Sequence, residues 1–180
     1  MESEDRVELY TRRLSREFNL SEDYEGRHYT MVAEKSGENA KALGKSELVK
    51  TVLLVSKVPE NGSDDFVQSE IEKIPESALS GFRNISKNKT TFFTRVFLMK
   101  KIPFDLIQKA RNFDFCRSEQ GAFNYIVHAG IILVDLSSTM LYSSKAAAEF
   151  CKFFKIIVPV ETKEGEGEKR MGGIDGDHKD

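Results

Sequence analysis

The stretch YIVHAGIILVDL, from Tyr125 to Leu136, constrains the fold of this chain more than any other. Apolar and β-branched residues follow one another almost without interruption, as they do in a central strand. Gly130, in its middle, marks either a bulge or a close backbone approach, so the run is one kinked strand or two. His128 lies inside it. A catalytic imidazole needs a partner to orient and activate it, and no Cys, Asp or Glu stands nearby at relay or ligand spacing. The nearest carboxylate in sequence is Asp135, at the far end of the run. The expectation is a satisfied core or edge-strand histidine.

Two more strands are legible. ELVKTVLLVSKV is rich in Val and Leu and is stopped by Pro59 and the ENGSDD turn. TTFFTRVFLMKK alternates so that Phe93, Arg95 and Phe97 share one face and Phe92, Thr94, Val96 and Leu98 the other. After Ile102-Pro103, the residues Phe104, Leu106, Ile107, Ala110 and Phe113 form a helical stripe, and a short helix is expected from Asp64 to Lys73. Ser143 or Ser144 is placed to cap a helix through KAAAEFCKFF, and KIIVPV reads as a last strand. Near the start, Val7, Tyr10, Leu14 and Phe18 recur at helical spacing, with Arg12, Arg13 and Arg16 on the wet side. Between Ser21 and Lys45 the pattern dissolves into a loop or mobile arm around a weak HYTMVAE strand.

A chain of 180 residues suits one domain. The order of elements predicts α+β, with a mixed or mainly antiparallel sheet covered on one face by short helices. The expected division is an N-terminal arm with a short amphipathic helix at 1–45, an α+β core domain at 46–161, and a disordered acidic tail at 162–180, where ETKEGEGEKRMGGIDGDHKD has almost no apolar content.

The opening MESEDRVELYTRRL carries charges where a secretory signal is apolar, and no window approaches the roughly 20 apolar residues of a spanning helix. A soluble intracellular protein is expected. Cys116 and Cys151 cannot build a disulfide framework or a zinc site and read as free thiols, with Cys151 on the apolar face of a helix. GEGEKRMGG follows no strand that enters a helix and carries acid where a phosphate loop binds phosphate. These observations predict no enzyme, no cofactor and no metal.

Charge is unevenly spread beneath a net of −2. Acidic residues exceed basic ones by four from Met1 to Glu25 and by five from Glu60 to Glu76, whereas the segment from Arg83 to Arg117 has a basic excess of seven. Arg83, Lys87, Lys89, Arg95, Lys100, Lys101, Lys109 and Arg111 are the candidate phosphate-binding residues, for RNA or anionic lipid. The competing reading is a set of solvated faces that cluster only in sequence. Aromatics interleave with the lysines, as on a single-strand-binding surface, though the same rings suit a core.

TTFFTRVFLMKKIPFDLIQKARNF resembles the stretch of rhabdovirus matrix proteins in which a Phe- and Val-rich strand runs through basic residues into a short helix. AFNYIVHAGIILV corresponds to the next core strand, and YSSKAAAEFCKFFKIIVPVETKE is similar in order to their terminal element. Together these cover the second half of the chain. The basic N-terminal arm and Pro-rich motif of the animal viruses are missing, and the small plant-virus type fits best. The resemblance implies a non-enzymatic structural protein of the virion and host cytoplasm. Such a protein condenses ribonucleocapsid, lies peripherally on the anionic inner membrane face and forms homo-oligomers.

KTVLLVSKVP and YIVHAGIILVDLSS are also similar to the paired core strands of the thirty-kilodalton superfamily of plant-virus movement proteins, although their separation here is longer and the chain shorter. That alternative implies binding of single-stranded nucleic acid and enlargement of cell-to-cell channels. A cellular adaptor domain is the third reading.

Overall fold

The computed structural model describes residues 3–40, 46–60, 63–80 and 87–156. They form one α+β domain around a mixed sheet of seven strands: β1 (Asn19–Tyr24), β2 (Arg27–Ala40), β3 (Ser46–Lys57), β4 (Lys89–Met99), β5 (Phe115–Glu119), β6 (Tyr125–Asp135) and β7 (Leu141–Ser143). The spatial order is β1-β2-β3-β4-β6-β5, with β7 also beside β6. β3, β4 and β6 run parallel in the centre, and every other pairing is antiparallel.

Parallel strands need crossover connections, and the helices supply them. α2 (Ser63–Glu72) and α3 (Ile74–Leu79) lie between β3 and β4, and α4 (Phe104–Asn112) follows β4. Val67, Ile71, Ile74, Ala78, Leu106 and Ala110 from these helices pack on Val52, Leu54, Phe93, Phe97 and Ile131 of one sheet face. The opposite face is covered as well. There α1 (Ser3–Leu14) and a 3₁₀ helix (Lys145–Phe153) set Tyr10, Leu14, Phe150 and Phe153 on Leu53, Val55, Val96 and Ile132. The sheet is therefore covered on both faces, not on one. The long apolar runs of β4 and β6 follow from that double burial.

The N-terminal region is built into this core, and this corrects the arm expected at 1–45. β2 is a strand of 14 residues that pairs with β3 from Met31–Val55 to Ala40–Ser46. Its polar outer half has little strand propensity of its own, and ladder pairing overrides that deficit. Two extra residues of β2 bulge against β1 between Ser21 and Asp23. Beyond the bulge the hairpin folds over the sheet, so that Tyr24 reaches Phe93 and the Arg95 guanidinium stacks on Tyr29. Its turn uses Glu25 and Gly26 with φ of 50° and 77°, the left-handed pair of a tight hairpin.

β6 is a single unbroken strand. Gly130 serves the close approach: a Cβ there would stand 2.7 Å from the Ala147 Cβ and 2.9 Å from the Ala147 nitrogen. Ser144 occupies the N-cap of the 3₁₀ helix, but its hydroxyl accepts the Ile131 N–H at 3.0 Å and does not cap the helix. The helix expected over KAAAEFCKFF is present from Lys145 to Phe153, wound as a 3₁₀ helix. β5 was not anticipated from the sequence. The expected final strand KIIVPV, from Ile157 on, and the tail at 162–180 lie outside the described residues.

Candidate functional site

The eight candidate basic residues do not share one surface. β4 threads the basic segment along its whole length, about 33 Å for a strand of 11 residues. Lys87 and Lys89 therefore stand at the amino-terminal ends of the parallel strands, and Lys100 and Lys101 at the carboxy-terminal ends. Arg95, between them, is 3% exposed. Its guanidinium donates to the Leu54 carbonyl at 3.1 Å and the Ser56 hydroxyl at 3.2 Å, and meets Glu70 at 2.9 Å. Burial depresses its pKa, opposed by Glu70 and Tyr29. Arg95 is a core residue, unavailable to a surface phosphate. Lys109 donates to Gln68 at 3.0 Å, and Arg111 lies 5.5 Å from the Tyr142 ring, both on α4. Arg83 lies outside the described residues.

At the carboxy-terminal end Lys100 is ion-paired with Glu60, whose carboxyl this contact holds below its usual range. Lys101 is exposed, and Phe104 beside it is 69% exposed. Glu60, Asp64, Asp65 and Asp105 balance the lysines of this end.

The amino-terminal end is different. Strand alternation puts Glu34, Lys50, Lys89, Thr91 and Tyr125 on the face that packs against α2, α3 and α4, in adjacent strands of one register. Lys50 Nζ is 2.8 Å from Glu34 Oε1 and 5.5 Å from the Tyr24 ring centroid. Lys89 Nζ lies 5.4 Å from the Tyr125 ring, and the Tyr125 and Thr91 hydroxyls are 3.2 Å apart. Burial, then the charge of Lys50, lowers the Lys89 pKa. Burial, then Glu25 and Glu34, raises that of Tyr24, and burial raises that of Tyr125. Two ammonium groups thus sit on one half-buried patch, with the Glu34 carboxylate paired to Lys50 on the side away from Lys89, so that an added anion relieves the repulsion between the lysines.

Across the strand ends lies a cleft of about 620 Å³ lined by Ser46, Glu47, Lys87, Asn88, Gly121 and Phe123, among others. Asn88 shapes it: its side-chain oxygen accepts the Asn124 N–H at 2.9 Å, and its carbonyl accepts the Leu48 N–H at 3.0 Å. Phe123 is 42% exposed at the rim, and Lys87 is ion-paired with the exposed Glu38.

Glu34, Lys50, Tyr24 and Tyr125 were missed from the sequence. The alternation of Lys50 with Val52 and Leu54 was a usable signal, but its neighbours depend on the β3–β4 register. His128 is half-buried, and its ring stacks on Phe92 with centroids 5.4 Å apart and planes at 15°. Its register partner in β5 is the exposed Cys116, a neighbour that linear spacing concealed. Cys151 is buried.

The fold and this end of the sheet define an α+β domain with lysines and an exposed aromatic ring at a strand end. The chain belongs to the family described as Domain of unknown function (DUF8052), whose model matches residues 2–156. That span includes α1, β1 and β2, in keeping with their place in the core. No curated protein and no solved structure matches the chain. Among the described residues no helix is long and apolar enough to cross a membrane.

Proposed function

We propose that the protein is a non-enzymatic structural protein of the matrix type that binds the single-stranded RNA of a ribonucleocapsid and associates with itself. The observation that carries the RNA reading is the meeting of Lys50 and Lys89 on one half-buried patch beside the cleft of Lys87, Asn88 and Phe123. Lysines neutralise phosphates there, an exposed ring offers a base a stacking partner, and amide groups supply hydrogen bonds. The resemblance in the second half of the chain supports the virion and host cytoplasm as its setting. An anionic membrane surface, the other partner implied, has its support at the opposite end, where Lys100, Lys101 and the exposed Phe104 stand together. The meeting of two lysines on one half-buried patch at the amino-terminal end supports RNA as the principal partner. The movement-protein alternative shares the RNA site and lacks the membrane partner.

An RNA gel shift beside co-flotation with phosphatidylserine vesicles tests this. The Lys87→Gln/Lys89→Gln variant should weaken RNA binding and reduce the salt slope by roughly 0.7 per lost phosphate contact. Lys100→Gln/Lys101→Gln should leave RNA binding intact and diminish flotation. RNA binding without flotation by the parent favours a movement protein. Binding to neither partner overturns both viral readings and leaves the adaptor. Equal loss of RNA binding in the two variants removes the strand-end site.

A further inference from the structure

The outer strands β1 and β5 are treated differently. The pairing of β1 with β2 is interrupted by the bulge of β2 opposite Ser21–Asp23, and their hairpin folds onto the sheet face, a device that denies a regular edge to other chains. β5 has no such protection. It pairs with β6 in unbroken register from Phe115–Ala129 to Glu119–Tyr125, and Cys116, Arg117, Ser118 and Glu119 are all exposed. It holds neither proline nor glycine.

We infer that β5 is a self-association edge, where two copies pair antiparallel about a two-fold axis at Ser118 to continue one sheet through both. The inference rests on the self-association part of the function proposed above and names its surface. An axis perpendicular to the sheet keeps each face with its counterpart, so opposed residues must share a face and the axis must pass through a residue position. With the axis at Arg117, the two guanidinium groups oppose each other. At Cys116, Arg117 meets Phe115 of the second copy and its charge is unanswered. At Ser118, Arg117 of each copy faces Glu119 of the other, giving two reciprocal pairs of opposite charge. Within one chain Arg117 and Glu119 are held only loosely, at 3.5 Å with both side chains more than half exposed, so both are free to exchange partners. The strand is self-complementary in this register.

Light scattering of the full chain at micromolar concentrations, without RNA, should show a dimer. Arg117→Glu and Glu119→Arg should each weaken it on the order of tenfold, because two attractions become two repulsions. The double variant Arg117→Glu/Glu119→Arg should restore it. In a Cys116→Ser background, Ser118→Cys should cross-link to a covalent dimer under mild oxidation, whereas the parent, with Cys116 displaced from the axis, should not. A chain that stays monomeric overturns the inference, as does a dimer indifferent to both charge reversals or one cross-linked through Cys116. A monomer that still binds RNA removes the edge alone, and a charge-sensitive dimer that binds no RNA removes the strand-end site alone.

Discussion

Arg95 and Glu70 meet at 2.9 Å in the packed interface between β4 and α2, with side chains 4% and 15% exposed. The guanidinium is sandwiched between the Tyr29 and Phe97 rings, with centroids at 4.9 and 4.8 Å. One residue thereby ties the folded-over hairpin, β3, β4 and α2 together. Removing a single partner of a buried pair leaves an uncompensated charge, so Glu70→Ala should cost about 3–5 kcal/mol, measured by urea unfolding. Arg95→Met/Glu70→Leu should cost much less than the sum of the single changes. RNA binding per folded molecule should be unchanged in that double variant, because Arg95 is no part of the strand-end surface.

Deleting residues 1–40 should abolish cooperative unfolding. The deletion exposes the β3 edge, where ten register pairs with β2 are lost, and uncovers Leu53, Val55 and Val96 beneath Tyr10 and Leu14. Thermal melting followed by circular dichroism checks this. A shortened chain that melts sharply at an unchanged temperature would return these residues to the status of an arm.

Gly130→Ala should destabilise the protein by about 1–3 kcal/mol through overpacking. The added methyl meets a backbone nitrogen and the Ser144 hydroxyl, each at 2.9 Å, as well as the Ala147 Cβ at 2.7 Å. Gly130→Ala/Ala147→Gly should recover only part of the loss, because the first two obstacles remain. Full recovery in calorimetry would show that the two Cβ atoms alone conflict.

The alternation of β4 was legible because its faces carry different residues, and burial of Phe93, Arg95 and Phe97 on one face follows that reading. The nearly unbroken apolar run of β6 was legible as a strand, but its burial on both faces was not. β2 was obscured because its outer half, KSGEN, is exposed and owes its conformation to β3. β5 was hidden by its shortness and exposure, and with it the proximity of Cys116 to His128. The basic segment misled in a different way. Residues adjacent in sequence are carried to opposite ends of the sheet by the strand they lie on, so a charge excess counted along the chain does not describe a surface. The Lys50–Lys89 patch required the reverse step, a parallel register between strands separated by two helices.

Lys89 offers a final test, in which stability and binding move in opposite directions. Burial and the neighbouring Lys50 lower its pKa in the folded protein relative to an unfolded value of about 10.4. Between the folded and unfolded pKa the unfolded chain binds more protons, so this group makes stability rise with pH through that window. Below it, at neutral pH, the charged lysine is carried at a cost. Lys89→Met removes that cost and retains an apolar stem over the Tyr125 ring. The variant should therefore be more stable at neutral pH by up to about 1 kcal/mol, with the advantage shrinking as the pH passes the lowered Lys89 pKa. Comparing the two proteins at each pH cancels the titration of every shared group. RNA affinity should fall meanwhile, with a salt slope shallower by roughly 0.7, the contribution of one phosphate contact. Lys89→Arg keeps the charge and should retain most of the affinity. A Lys89→Met variant that is less stable at neutral pH, with RNA affinity and salt slope unchanged, would make Lys89 a structural residue and remove it from the binding site.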